Sequence, residues 1–213
     1  MNLNGAYVFS INIAPASEEQ FWTNLGNRTG INKVSVEGLV KFANDGVSGD
    51  HVVDRENHGG YDQAVYAYSL EDAQWWEEKI GKPIAAGQFG ENLTTCNIDI
   101  SNALIGERWR IGDLLLEVSQ PRIPCKVFSG FWERPTLIKE FTKANRPGAY
   151  LRIIEEAMIE KDTAIEVIDR PSHGITISDL FAARSGAREK IHEIAKLSEL
   201  SEKYKAWAQQ VSK

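Results

Sequence analysis

The residues 119–126 read Ser119-Gln120-Pro121-Arg122-Ile123-Pro124-Cys125-Lys126. Cys125, one of two cysteines in the chain, lies close to Arg122 and beside Lys126. Cationic neighbours favour the thiolate, which is both the nucleophile and the soft metal ligand. The run follows the strand-like residues 114–118, and Pro121 and Pro124 each withhold a backbone donor, so it cannot continue as a central strand and should present its side chains at a rim. The alternative is an inert buried cysteine. Two further segments gather polar groups beside glycine. In Asn57-His58-Gly59-Gly60-Tyr61-Asp62, paired glycines permit close backbone approach to a ligand, and His58 can donate to an anion. In Gly87-Gln88-Phe89-Gly90-Glu91-Asn92-Leu93-Thr94-Thr95, glycines, an amide and hydroxyls occupy one turn, enough to line a polar pocket; the plainer reading is a loop in which Glu91 and Asn92 satisfy local backbone groups. Arg122 has the planar fork that grips two phosphate oxygens. Together the segments describe a site for an anionic ligand rich in hydrogen bonds, with a thiolate at one end. A pterin carrying a phosphate and a thiophilic metal fits that description.

The elements that must hold these segments are short strands separated by glycine-rich turns. Residues 34–40 alternate and are β-branched; 64–68, 108–111, 114–118 and 164–168 add further strands. That spacing suits a barrel or sandwich, and the absence of a Gly-x-Gly-x-x-Gly or Walker-type loop argues against a dinucleotide fold. Ser69 caps a helix that runs to Ile80 and stops at Gly81, with Pro83 beyond. A second helix starts near Pro135 and ends before Arg146. Residues 150–159 fit helical and strand periods equally well. Past Arg170-Pro171-Ser172 three short helices are expected over 178–184, 187–197 and 201–211. Their last carries a stripe of Tyr204, Trp207, Ala208 and Val211. So small a unit must pack on the main domain, on a second subunit or on a partner, and a homodimer is one such outcome.

The 213 residues are 42% hydrophobic and 25% charged, the composition of a soluble globular protein of one medium domain plus an appendage. A net charge of −6 argues against a nucleic-acid partner. Two cysteines form neither a disulfide framework nor a zinc motif. With no signal-like start and no long apolar run, a cytoplasmic protein without membrane contact is expected. The Asn-x-Thr triplets at Asn27 and Asn92 are then chance matches.

His58-Gly59-Gly60-Tyr61-Asp62-Gln63-Ala64-Val65, Phe89-Gly90-Glu91-Asn92-Leu93-Thr94-Thr95, Ile111-Gly112-Asp113 and Val118-Ser119-Gln120-Pro121-Arg122-Ile123-Pro124-Cys125 resemble, in order, the motif series of MOSC-domain proteins of the YiiM type. His173-Gly174-Ile175-Thr176-Ile177 resembles the start of that subgroup's C-terminal helical unit, and the likeness runs from about Thr29 to the end. It implies an α+β, mostly β fold: a MOSC β-barrel domain over residues 1–170, then a three-helix unit over 171–213. It implies strand for 150–159. It also implies the molybdenum cofactor (molybdopterin with Mo), with Cys125 as catalytic metal ligand. His58, Gly59, Gly60, Phe89, Glu91, Asn92, Thr94, Ser119 and Arg122 then line the cofactor pocket. The family further carries an association with pyridoxal phosphate binding. The activity implied is reduction of N-hydroxylated compounds such as 6-N-hydroxylaminopurine. Electrons would come from an external reductase of flavoprotein or ferredoxin type, because the chain has no nucleotide fold and too few cysteines for a cluster. Two other readings stay open: a carrier of cofactor or sulfur using Cys125, and a cofactor-free thiol enzyme pairing Cys125 with His58. The sequence departs from the family at Cys96-Asn97, where relatives often have a polar residue and glycine.

Overall fold

The strands are short because glycine and aspartate turns cut the β-branched runs. A computed structural model describes residues 5–24, 28–43 and 46–213; Asn27 lies outside them. The first strands are β1 (Tyr7–Ile13), β2 (Glu18–Glu19), β3 (Arg28–Thr29), β4 (Val34–Val36), β5 (Val40–Ala43) and β6 (Gly46–Val47). Next come β7 (Val65–Ser69), helix α1 (Leu70–Ile80), β8 (Leu93–Cys96), β9 (Arg108–Ile111) and β10 (Leu114–Pro121). Helices α2 (Lys126–Phe131) and α3 (Leu137–Ala144) precede β11 (Ala149–Glu155), β12 (Ala157–Ile159) and β13 (Ile165–Asp169). The chain closes with α4 (Ile177–Arg184), α5 (Ile191–Ile194) and α6 (Glu202–Val211).

Eight strands form the main sheet in the order β13-β9-β10-β11-β7-β8-β1-β4, and β12-β5-β6 form a smaller one. The fold is α+β as expected, but the expected barrel does not close into a continuous ladder. Instead the sheet curls until residues before β13 reach β1: Val8 N–H donates to Thr163 O at 2.9 Å, and Asp162 N–H to Val8 O at 2.8 Å. A single bridge, Tyr7 with Ala164, completes that seam.

Among the described strands only β7 and β8 pair in parallel. Parallel neighbours need a crossover, and α1 supplies it. Ser69 Oγ accepts from Asp72 N–H at its start, and Gly81 ends it in the left-handed region at φ 76°. Because β7 and β8 run the same way, the loops entering them arrive at one edge of the sheet, which brings His58-Gly59-Gly60 beside Phe89-Gly90-Glu91-Asn92.

Three local expectations are corrected. The run 34–40 is two strands, because Gly38 at φ 79° turns the chain between them. Pro121 does belong to β10, opposite Ala149. This is tolerated because backbone pairing on the β9 side of β10 ends at Val118, which bonds to Gly106 and Glu107, so Pro121 is paired on the β11 side alone. The middle C-terminal helix is one turn, Ile191–Ile194, continued by i→i+3 bonds such as Leu197 N–H to Ile194 O at 3.1 Å. Residues 150–155 and 157–159 are strand, broken at Glu156, in line with the β structure the family likeness implied.

Two apolar clusters hold this together. One joins the sheet interior to Ile177, Leu180, Ile194, Tyr204 and Ala208 of the C-terminal helices and to Leu200 between the last two. The other is aromatic, with Tyr68, Trp76, Phe128, Phe141 and Phe181 around a fully buried Phe89. Phe89 stacks on Tyr68 at 4.8 Å and meets Phe128 at 5.3 Å. Polar staples add register. Arg152 on β11 reaches Asp62 and Glu117, each at 2.7 Å, and donates to Glu199 O at 2.9 Å. Ser201 Oγ caps α6 and donates to Gln120 at 3.1 Å.

Candidate active site

Tyr66, Tyr150 and Gln120 stand in register across β7, β11 and β10. Over this row opens a cavity of about 1070 Å³ whose wall includes His58, Gly59, Phe89, Asn92, Arg122 and Cys125. All three motif segments therefore meet there. Gly59 and Gly60 adopt φ of 82° and 75°, a conformation costly to any residue with a Cβ, and this turns the chain so that His58 faces the wall.

Cys125 sits at the N-cap, immediately before α2, a helix the sequence reading missed. Burial pushes its thiol up, but the hydrogen bond with His58, the Arg122 charge and the Phe128 N–H outweigh that and lower it to about 7. Tyr150 O–H lies 3.3 Å from His58 Nδ1. Burial drives the Tyr150 phenol up to about 12, so at neutral pH it keeps its proton. The second cysteine differs. Cys96 is off the cavity wall, its thiol donates to Glu71 at 3.3 Å, and burial with Glu71 raises its pKa despite the opposing Tyr7 bond. Near neutral pH Cys125 should carry a substantial thiolate fraction, and Cys96 far less. Limiting iodoacetamide should therefore label Cys125 at least about tenfold faster, its rate rising through pH 7; equal labelling by peptide mapping would refute the assignment.

Arg122 is buried, and its Nη1 has no hydrogen-bond partner. It forms no ion pair among the described residues; its guanidinium lies instead over the Phe128 ring at 3.8 Å, with Phe141 at 5.4 Å and Tyr66 at 5.9 Å. Rings attract a cation but do not accept its N–H bonds in full, so the group remains an anion receptor with donors unspent. The side-chain Oε1 of Gln63, also on the wall, is a buried acceptor without a donor.

The other expected residues are placed differently. Glu91 accepts from Gly87 N–H at 2.6 Å, Phe89 N–H at 3.0 Å and Thr94 Oγ at 2.8 Å, so it and Thr94 brace the loop and are not on the wall. Asn92 is on the wall with its amide engaged: Oδ1 accepts from Tyr66 N–H at 3.2 Å and Nδ2 donates to Asp50 at 2.8 Å. Ser119 is fully buried at a bulge of β10, off the wall, its hydroxyl unpartnered. Gly60 starts the 3-10 turn of residues 61–63 and is also off the wall. Sequence reasoning missed the buried Lys33–Asp50 pair, Gln63 and Tyr150. It also missed a wall from the C-terminal helices, with Arg184, Lys203, Tyr204 and Trp207. The Tyr204 stripe was legible, but not the cavity it faces.

Among the described residues no group of three or more His, Cys, Asp or Glu could hold a metal ion, and no helix is long and apolar enough to cross a membrane. A family model described as the MOSC domain matches residues 54–166. YflK of Bacillus subtilis is 31% identical over 183 residues, covering 84% of this chain and 82% of its own. A Gibberella moniliformis protein named reductase is 33% identical over 145 residues, 66% of this chain and 26% of that protein. The crystal structure of YiiM from Geobacillus stearothermophilus matches with a TM-score of 0.80 and 26% identity, covering 96% of this chain and 98% of that one.

Proposed function

This chain belongs to the MOSC-domain family, and on that premise we propose that it is a molybdenum-cofactor-dependent reductase of N-hydroxylated compounds, 6-N-hydroxylaminopurine among them. One observation carries the reading: an unpaired buried guanidinium and a thiol held at about 7 share a single cavity. The residues present fit the cofactor. Arg122 would take its phosphate, Gln63 and the 87–92 loop its ring, and Cys125 its metal. A lone cysteine cannot retain a metal unaided, so the metal has to arrive with ligands of its own, as a pterin dithiolene provides.

The overall change is R–NHOH + 2 e⁻ + 2 H⁺ → R–NH₂ + H₂O. When bound, the cofactor supplies a redox-active metal that accepts oxygen from the N–OH group. Cys125 contributes the anionic sulfur, its charge stabilised by His58 and Arg122. His58 steadies the charge on that sulfur through its hydrogen bond and stands 3.3 Å from the Tyr150 hydroxyl, and the protons that leave as water come from solvent. The aromatic cluster on the Arg122 side excludes water from the anion. Electrons come from a separate reductase of flavoprotein or ferredoxin type.

The test is protein expressed with cofactor, assayed with a chemical reductant and 6-N-hydroxylaminopurine, alongside metal and pterin analysis. Many turnovers per molybdenum are expected. One equivalent of transfer without turnover would instead mark a carrier, and turnover in protein free of molybdenum a thiol enzyme.

A further inference from the structure

We infer that the C-terminal helices build a second anion subsite in this cavity, and that its ligand is the phosphate of a purine nucleoside monophosphate rather than a free base; the purine part of this inference rests on the reductase reading above. Arg122, set among Phe128 and Phe141, accounts for one anion. Yet the wall carries seven lysine and arginine side chains against two aspartates, Asp50 and Asp54, in a chain of net charge −6. Asp50 is already occupied by Lys33. A cationic cleft in an anionic protein focuses a positive potential on its ligand.

Arg184 of α4 and Lys203 of α6 are the cations on the C-terminal wall, and neither forms an ion pair among the described residues. The Arg184 guanidinium lies 4.5 Å from the Trp207 ring and 5.4 Å from the Tyr204 ring, so it is held in place by aromatic faces rather than by a carboxylate. A guanidinium held beside an indole on a cavity wall supplies the two elements nucleotide recognition needs, a cation for phosphate and a flat face for the base. The wall is fixed to the rest of the site by the Ser201–Gln120 bond, which ties the start of α6 to the strand that leads into Arg122. At about 1070 Å³ the cavity is at the top of the range for one drug-sized ligand, which leaves room for a nucleotide beside a cofactor.

Calorimetric titration of the full chain with adenosine 5′-monophosphate and with adenosine tests this without electron transfer. The monophosphate should bind about tenfold or more tightly, the increment of a charge-assisted contact. Arg184→Gln with Lys203→Gln should erase that preference while metal and pterin content stay unchanged. Because Arg184 packs on aromatic rings, Lys203→Glu at an exposed position gives a second reading, again a weakening of about tenfold for the monophosphate alone. Equal affinity of wild type for the two ligands would overturn the inference, as would a double variant that keeps the preference or loses cofactor instead. Hydroxylaminopurine turnover is scored separately. Monophosphate preference without turnover removes the reductase reading and sustains the subsite; turnover without that preference does the reverse.

Discussion

Cys125→Ala should leave the fold intact and lower N-hydroxylamine reduction by about a thousandfold or more, the scale seen when a reacting group is deleted outright. The fold survives because the packing of α2 comes from Phe128, fully buried in the aromatic cluster, and the sulfur adds to the start of that helix only its contact with the Phe128 N–H. Alanine therefore removes a half-buried sulfur and little else. Cys125→Ser is the sharper comparison. It keeps size and polarity, but a hydroxyl stays protonated at neutral pH and its oxygen is a hard ligand, so serine should be as inactive as alanine. Pterin and phosphate contacts to Arg122 and Gln63 are untouched in both variants, so cofactor content should fall far less than turnover. Circular dichroism, metal and pterin analysis, and turnover with a chemical reductant separate the three quantities. A loaded, folded alanine variant with wild-type activity would exclude the sulfur from the chemistry.

What could be read beforehand was local. Ser69, the acids after it and Gly81 define α1 within a stretch of a dozen residues, and the structure keeps each of those signals. The paired glycines 59 and 60 mark a backbone conformation that neighbouring residues require, so a turn there was legible without knowing the fold. Long-range placement was not. α2 has six residues and no apolar period to detect; it persists because Phe128 enters a cluster with Phe89 and Phe141, which are remote in sequence. Lys33 and Asp50 are each unremarkable on a surface scale, and become a buried pair only when β1 and its neighbours enclose them. Glu91 was placed among the cofactor contacts by the likeness to MOSC-domain proteins, against the plainer reading of a self-satisfied loop. Its three local donors show the simpler alternative operating, with the acid satisfying its own loop. The cavity lining from α4 and α6 was hidden for another reason. An amphipathic stripe tells which face is buried, not what it is buried against.

Arg122→Met is expected to make the empty protein more stable and to abolish its response to anions. A buried cation without a carboxylate retains most of its desolvation penalty, and the ring faces of Phe128, Phe141 and Tyr66 return only part of it. Methionine keeps the apolar stem and its contact with those rings while deleting the charge and the orphaned Nη1 donor. Exchanging a strained charge for an apolar side chain of similar length is stabilising by about 1–2 kcal/mol on the precedent of buried ionic groups. For a chain of this size that is roughly 2–8 °C in melting temperature. Phosphate or pyrophosphate should act oppositely on the two proteins. Wild type should gain stability as RT ln(1 + [L]/Kd), about 2.7 kcal/mol at a hundredfold excess over Kd, whereas the variant should not move. Arg122→Lys should also fail, since an ammonium cannot stack flat on Phe128 or present a two-pronged donor. Should Arg122→Met melt several degrees below wild type and still be stabilised by phosphate, the guanidinium would be a structural brace, and the anion would have to be held elsewhere on the wall.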